Sequence, residues 1–192
     1  MYTQVIDYIK QRIEISQVQI EGSLKYGDFK NYTKGEYILR AGEYCPLIGF
    51  LNKEFIVTTI MDDTDNEKAF EFKYEGCFST YAEGLAGITP SHKHFIAIED
   101  GETPVLKKNY LALIFKTNPK FETLFSQILG EELRFDLLNE LNSKTLSIEE
   151  RYLALENTYP GTLQRILIKY IAGYLGIESP SLSRLRGRVA GK

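Results

Sequence analysis

The sequence predicts an α+β fold: an N-terminal antiparallel β-roll of the jelly-roll kind, a long central helix, and a C-terminal helix-turn-helix. Three observations carry this. Short aromatic and β-branched runs separated by turn formers occupy residues 23 to 114, an apolar pattern at helical period runs from about Asn118 to Asn142, and a small-residue turn joins two helical segments near the C-terminus. The implied divisions are 1–116 for the roll, 117–143 for the central helix and 144–192 for the C-terminal domain.

Taken in order, Val5, Ile9 and Ile13 recur at a spacing of four and predict a short amphipathic helix. The strand candidates are Tyr37–Leu39, Phe55–Ile60, Ala69–Phe72 and Phe95–Ile98. Between them lie Lys34-Gly35-Glu36, Ala41-Gly42-Glu43, Asp62–Asn66, Thr89-Pro90-Ser91 and Asp100-Gly101-Glu102, the punctuation of a compact roll. Asn118-Pro119 then starts a helix with two apolar rows: Phe121, Leu124, Ile128, Phe135 and Leu138 in one, Phe125, Leu129, Leu133, Leu137 and Leu141 in the other. Two rows predict two partners, the helix's own β-domain and the same helix of a second subunit, although a core helix in a monomer would leave the same pattern. Ser143 to Ser147 reads as a polar hinge, and Ser147-Ile148-Glu149-Glu150 as a capping box whose helix stops before Tyr159-Pro160-Gly161.

The last helices carry the strongest signal. Two helices crossing steeply need a small residue at the contact, a glycine at the turn and apolar anchors on the second helix, and Ala172, Gly176, Leu182 and Leu185 fill these roles. Ser179 is placed to cap the second helix with Pro180 in its first turn. Leu182, Leu185 and Val189 form an apolar stripe, with Ser181, Arg184 and Arg188 in a polar stripe beside it. An ordinary helical hairpin with solvated arginines shares this spacing. Charge separates the two readings. From Gly161 onward six basic residues face Glu178 alone, so this end carries +5 while the remainder carries −8 of a chain whose total is −3. Cations gathered at one end of an acidic chain suit a module that neutralises nucleic-acid phosphates.

Composition limits the alternatives. A chain of 192 residues with 43% hydrophobic content can bury a core. It has no apolar run near the roughly 18 residues of a membrane span and no signal-peptide pattern, so a cytoplasmic protein without a membrane partner is expected. Cys45 and Cys77 offer neither a CxxC pair nor a ligand tetrad and read as buried thiols. His92 and His94 share one side of a strand, and with Glu83 or Cys77 nearby a metal or haem site can be imagined. Solvated or hydrogen-bonded histidines are the better account, so no metal and no cofactor are expected. The acidic stretch Asp62–Asn66 superficially resembles a calcium loop but lacks its glycine and its bidentate Glu, and a hairpin turn accounts for it. Glu149 and Glu150 are helix-start charges. With no P-loop, no dinucleotide fingerprint and no nucleophile beside a base, no catalytic residue is assigned and the chain is read as a non-enzyme.

The sequence resembles the Crp/Fnr superfamily of bacterial transcription regulators. The residues that carry the resemblance are Lys34-Gly35-Glu36 with Leu39–Glu43, Ala97–Asp100, Glu150-Arg151-Tyr152, Leu163–Ile166, Ile171–Ile177 and, most of all, Leu182-Ser183-Arg184-Leu185-Arg186. The resemblance implies a cyclic-nucleotide-binding-like roll, a dimerising central helix and a homodimer on a two-fold symmetric operator in double-stranded DNA, with a small-molecule effector and RNA polymerase as further possible partners. The departures matter as much. Where the family's nucleotide pocket uses a Gly-Glu pair and an Arg-Ser/Thr pair, this chain has Cys77-Phe78-Ser79-Thr80 and Pro90-Ser91-His92-Lys93, with no arginine between Arg40 and Arg134. The roll is therefore expected not to bind cyclic nucleotide. Two distant cysteines also exclude the iron–sulfur branch.

Any effector would use the surroundings of Phe78, Ser79, Tyr81, Ser91, His92 and His94. On the recognition helix Ser179-Pro180 replaces the Arg-Glu pair of the cyclic-AMP-responsive members, so the target sequence differs. The expected DNA-binding set is Arg184 on guanine, Ser179, Ser181 and Ser183 near bases or phosphates, and Lys169, Arg186 and Arg188 on phosphates. Leu167 leaves the start of the first helix uncapped. The rival reading is a small-molecule- or protein-binding module with a degenerate cyclic-nucleotide-binding-like fold and vestigial DNA binding.

Overall fold

A computed structural model describes residues 2–62, 66–85, 89–159, 161 and 163–190. Two N-terminal helices, α1 (Thr3–Arg12) and α2 (Gln17–Leu24), lead into β1 (Gly27–Tyr32), β2 (Tyr37–Leu39), β3 (Leu47–Phe50), β4 (Ile56–Met61), β5 (Glu67–Lys73) and β6 (Phe78–Ser79). A short helix α3 (Ala82–Leu85) precedes β7 (His94–Ala97) and β8 (Gly101–Lys107), and helices α4 (Leu111–Thr117), α5 (Lys120–Thr145), α6 (Ile148–Thr158), α7 (Ile168–Leu175) and α8 (Ser179–Ala190) follow. The strands form two four-stranded antiparallel sheets ordered β1-β8-β3-β6 and β2-β7-β4-β5. The predicted roll, long helix and C-terminal helical part are all present.

The second sheet holds the four strands legible as apolar runs. The first sheet is built from strands the sequence disguises. β1 (GDFKNY) is half-exposed and mostly polar, and β8 begins inside the predicted turn at Gly101. Gly101 is needed there, because a Cβ would fall 2.0 Å from the Cγ of Glu54, whose carboxylate accepts the backbone N–H groups of Asn52, Lys53 and Glu102. Around Asp62–Asn66 the hairpin reading holds at its ends, where Asp62 and Asn66 exchange hydrogen bonds at 3.0 Å, while residues 63–65 lie outside the described part.

Three apolar clusters hold these layers. Leu39, Cys45, Leu51, Ile56, Tyr81 and Phe95 fill the roll. Val5, Ile9, Ile13, Phe50, Ile114, Phe121, Leu124 and Ile128 pack α1, α4 and the first half of α5 onto the first sheet. Phe55, Val57, Phe72 and Ile96 of the second sheet share one core with Tyr152, Leu155, Tyr159, Ile171, Leu175, Leu182 and Leu185 of α6, α7 and α8. The C-terminal helices thus pack directly on the roll.

The central helix changes character along its length. Phe121, Leu124, Phe125 and Ile128 are buried, whereas Leu133, Leu137, Leu138 and Leu141 are exposed, Leu137 at 67%. It runs to Thr145, past the expected end near Asn142, and the Ser147–Glu150 capping box then opens α6 with both reciprocal hydrogen bonds formed.

Candidate nucleic-acid interface

The turn between α7 and α8 follows from one glycine. Gly176 has φ 71, the left-handed conformation an L side chain resists, and its N–H and that of Ile177 return to Ala172 and Gly173 carbonyls, closing α7. The second helix begins at Ser179 itself, with the Glu178 carbonyl accepting from Ser181 and Leu182. Ser179 is therefore inside the helix instead of capping it, a one-residue shift that leaves the faces unchanged. Ala172, Leu182 and Leu185 are buried in the shared core as expected. No side chain caps the start of α7, where Leu167 and Ile168 are exposed.

The outer face of α8 presents four of the seven predicted DNA-contacting residues. Ser183, Arg184 and Arg188 are exposed, and Ser181 is half-buried beside them. The Arg184 guanidinium donates to Ser181 Oγ at 3.1 Å and Ser183 Oγ donates to the Ser179 carbonyl at 3.3 Å, both short-range contacts within α8. Lys169 is exposed near the start of α7, its ammonium 4.7 Å from the Tyr170 ring centroid. Arg186 is placed differently: it turns back toward the Tyr152 ring, with its Nε buried.

Two arginines that the sequence does not single out as structural hold this unit to the rest of the chain. Arg165 donates to both carboxylate oxygens of Glu99 at 2.7 and 2.6 Å, to Glu75 and to the Lys53 carbonyl. These carboxylates hold its guanidinium well above its ordinary pKa. Arg151 donates to the Tyr174 and Leu175 carbonyls at the end of α7. Their partners lie far along the chain, so no local pattern marks them. The charge of Arg165 is paired with Glu99 and Glu75, which reduces the cationic excess available to a polyanion.

Helix α7 lies on β5 so closely that a Cβ on Gly173 would sit 3.2 Å from the Ala69 backbone nitrogen. Tyr174 donates its hydroxyl to Asn139 Oδ1, and Asn139 Nδ2 donates to the Phe70 carbonyl at 3.2 Å. Roll, central helix and helix-turn-helix therefore meet at one amide.

The predicted effector residues do not converge on one cavity. Phe78 packs edge-on against Tyr8 and Phe50. Ser79 is paired in register with Gly49, Ser91 Oγ donates to the Lys93 carbonyl, and His94 Nδ1 accepts the Ala41 N–H. Tyr81 donates to Glu83 at 2.6 Å and lies 2.8 Å from His92 Nδ1. Among the described residues no group of three His, Cys, Asp or Glu side chains is placed to hold a metal. Both cysteines are free thiols; Cys45 is buried, but Cys77 is only partly covered. Among the described residues no helix is long and apolar enough to cross a membrane.

Between the second sheet and α5, two lysines of the roll meet carboxylates of the helix. Lys73 Nζ lies 3.1 Å from Glu71 and 2.6 Å from Glu132, and Lys93 Nζ lies 3.1 Å from Asp136. Burial alone would lower the Lys73 ammonium, but the carboxylates of Glu71 and Glu132 reverse this and hold it above its ordinary value. Burial raises the Glu132 carboxyl. The cavity left among Glu71, Thr80, Tyr81, Lys93, Glu132 and Asp136 is about 30 Å³. A larger cleft, about 460 Å³, opens between α1, β5 and α5, lined by Tyr8, Arg12, Tyr74, Cys77, Arg134 and Phe135.

No family model and no curated protein sequence matches this chain. Solved structures do. FixK2 from Bradyrhizobium japonicum superposes with a TM-score of 0.74 at 16% identity, over 86% of this chain and 85% of that one. CLP, the c-di-GMP-responsive global regulator of Xanthomonas campestris, gives 0.71 at 14% identity over 92% of each chain. The catabolite activator protein of Thermus thermophilus gives 0.57 at 17% identity, over 92% of this chain and 84% of that one. The chain has the fold of the Crp/Fnr regulators.

Proposed function

We propose that this chain is a DNA-binding transcription regulator of the Crp/Fnr type and not an enzyme. It acts as a homodimer on a pseudo-palindromic operator, with residues 1–116 as a sensory roll, 117–143 as the dimerisation helix and 144–192 as the DNA-reading part. The observation that carries the reading is the open face of α8, where Ser181, Ser183, Arg184 and Arg188 lie on the second helix of a helix-turn-helix anchored by the buried Leu182 and Leu185. Such a helix enters a major groove with its polar side chains toward base edges. Arg184 contacts guanine, Arg188 and Lys169 contact phosphates, and Arg186 supports the helix from behind against Tyr152. The exposed leucines of α5 supply the two-fold contact.

Cyclic nucleotide has no place in this reading. The cavity lined by Thr80, Tyr81, Lys93 and Asp136 is about 30 Å³ and already holds the Lys93–Asp136 ion pair, against the roughly 300 Å³ or more that ligand sites usually occupy. Selection of bound sequences from a random duplex pool tests the function: a recovered inverted repeat supports it, and recovery of unrelated sequences overturns it.

A further inference from the structure

We propose that the cleft between α1, β5 and α5 is a binding site for a small aromatic carboxylate. At about 460 Å³ it falls in the range of small-molecule sites, about 300–1,000 Å³. Its walls come from separate parts of the chain: Arg12 from α1, Cys77 from the roll, Arg134 from the central helix and Thr158 from the end of α6. Of the expected effector residues, Phe78 alone lines it. Six rings, those of Tyr8, Phe72, Tyr74, Phe78, Phe135 and Tyr159, surround the space, and they favour a flat aromatic guest through offset and edge contacts.

The charges on the walls give the guest its polarity. All four carboxylates are engaged: Glu71 and Glu132 by Lys73, Glu75 by Arg165, and Glu131 by Arg12 and the Tyr8 hydroxyl. Arg134 is exposed, and among the described residues it has no hydrogen bond or ion pair. Two carboxylates share the buried Lys73, so the inner wall has surplus negative charge, while the mouth at Arg134 has an unmatched positive one. A guest with a ring N–H turned inward and a carboxylate at the mouth matches both ends. An ammonium would have to be dehydrated to reach the inner wall, whereas a carboxylate meets Arg134 while still partly in water.

The chain contains no tryptophan, so indole fluorescence reports on the guest alone. Indole-3-acetate titrated with the full chain should show a saturable rise in anisotropy, one molecule per chain, with a dissociation constant of about 1 mM or tighter. Arg134→Ala should weaken binding at least about fivefold, while Arg188→Ala, which removes a cation from α8, should leave it unchanged. Indole-3-acetamide should bind more weakly than the acid, and tryptamine more weakly still. Location is read separately. Cys77 is partly covered and Cys45 is buried, so alkylation of Cys77 by iodoacetamide, followed by mass spectrometry, should slow about tenfold with the acid at about ten times its dissociation constant. Absence of saturable binding overturns the site, as does an unchanged Cys77 rate at saturation. Equal affinity for acid, amide and amine, tightest binding of the amine, or displacement of the acid by cyclic AMP overturns the carboxylate class. An Arg134→Ala variant that binds like the parent overturns the reading of the mouth. None of these readouts involves DNA, so they stand apart from the proposed function.

Discussion

Tyr174 donates its hydroxyl to Asn139 at 2.9 Å, so the first helix of the helix-turn-helix is tied to the central helix by one side-chain bond between residues 35 apart. The Tyr174 ring meanwhile packs on Phe72 with centroids 5.7 Å apart. Tyr174→Phe keeps this packing and removes the hydroxyl, which should destabilise the chain by about 1 kcal/mol. Asn139→Ala should cost more, because the Phe70 carbonyl also loses its donor. In a double-mutant cycle followed by urea unfolding the two changes should couple, with the double variant losing less than the sum. Strict additivity would show that the bond does not form in solution.

Alkaline pH should loosen the same interface. Tyr159 is buried, donates to the Phe72 carbonyl at 2.8 Å, and burial raises its pKa well above 10.0. A raised folded-state pKa means that its stabilising share is intact below the unfolded value and lost as pH climbs: above about pH 10 the unfolded phenol ionises while the folded one stays neutral. Tyr159→Phe should therefore be less stable than the parent at pH 8 by about 1 kcal/mol, and the difference should shrink or reverse by about pH 11. Thermal melts of both proteins across that range check this, and a constant difference would refute it.

How much of this was legible differs from element to element. The second sheet, the central helix, the capping box at Ser147 and the Gly176 turn are written in local patterns: β-branched runs, a helical period, a hydroxyl three residues before a glutamate, a glycine between two apolar stripes. β1 and β8 were hidden because one exposed face lets a strand be polar, and because Gly101 serves the approach of Glu54 instead of a turn. On α8 the sequence separates Leu182 from Arg184 correctly but cannot see that Arg186 folds back onto Tyr152, which comes from another helix. The charges between the roll and the central helix were the least readable. Lys73, Lys93, Glu132 and Asp136 look like surface charges one by one, and only their meeting across 43 to 59 residues of chain shows why Lys73 and Lys93 are buried.

Helix α5 carries the assembly prediction. Its buried first half and exposed second half mean that substitutions there will act differently: a charge at Ile128 enters the chain's own core, whereas Leu137 faces outward. Leu137→Glu should leave the fold intact and raise the dimer dissociation constant at least about 100-fold, because two-fold symmetry buries the new charge twice. Sedimentation at micromolar concentration should then give one chain mass for the variant and two for the parent. A monomeric parent would remove the homodimer from the proposed function.

Readout of DNA gives the sharpest test. If Arg184 pairs with both acceptors of a guanine, Arg184→Ala should cost about 1–3 kcal/mol on the cognate operator and relax preference at that base pair alone. Arg184→Lys should not rescue it, since an ammonium is a point donor. Arg188→Ala and Lys169→Ala should weaken all sequences alike and each lower the salt slope by about one unit. Arg186→Ala should lower stability instead, because its guanidinium faces Tyr152 and its Nε is buried. Two recognition helices of a dimer should require half-sites about 34 Å apart on one face of the duplex. Inserting about five base pairs between them turns one half-site to the opposite face and should abolish tight binding. Fluorescence anisotropy on the parental and expanded operators measures both effects. Survival of binding after the insertion, or an equal loss for every sequence with Arg184→Ala, would rule out symmetric readout through α8.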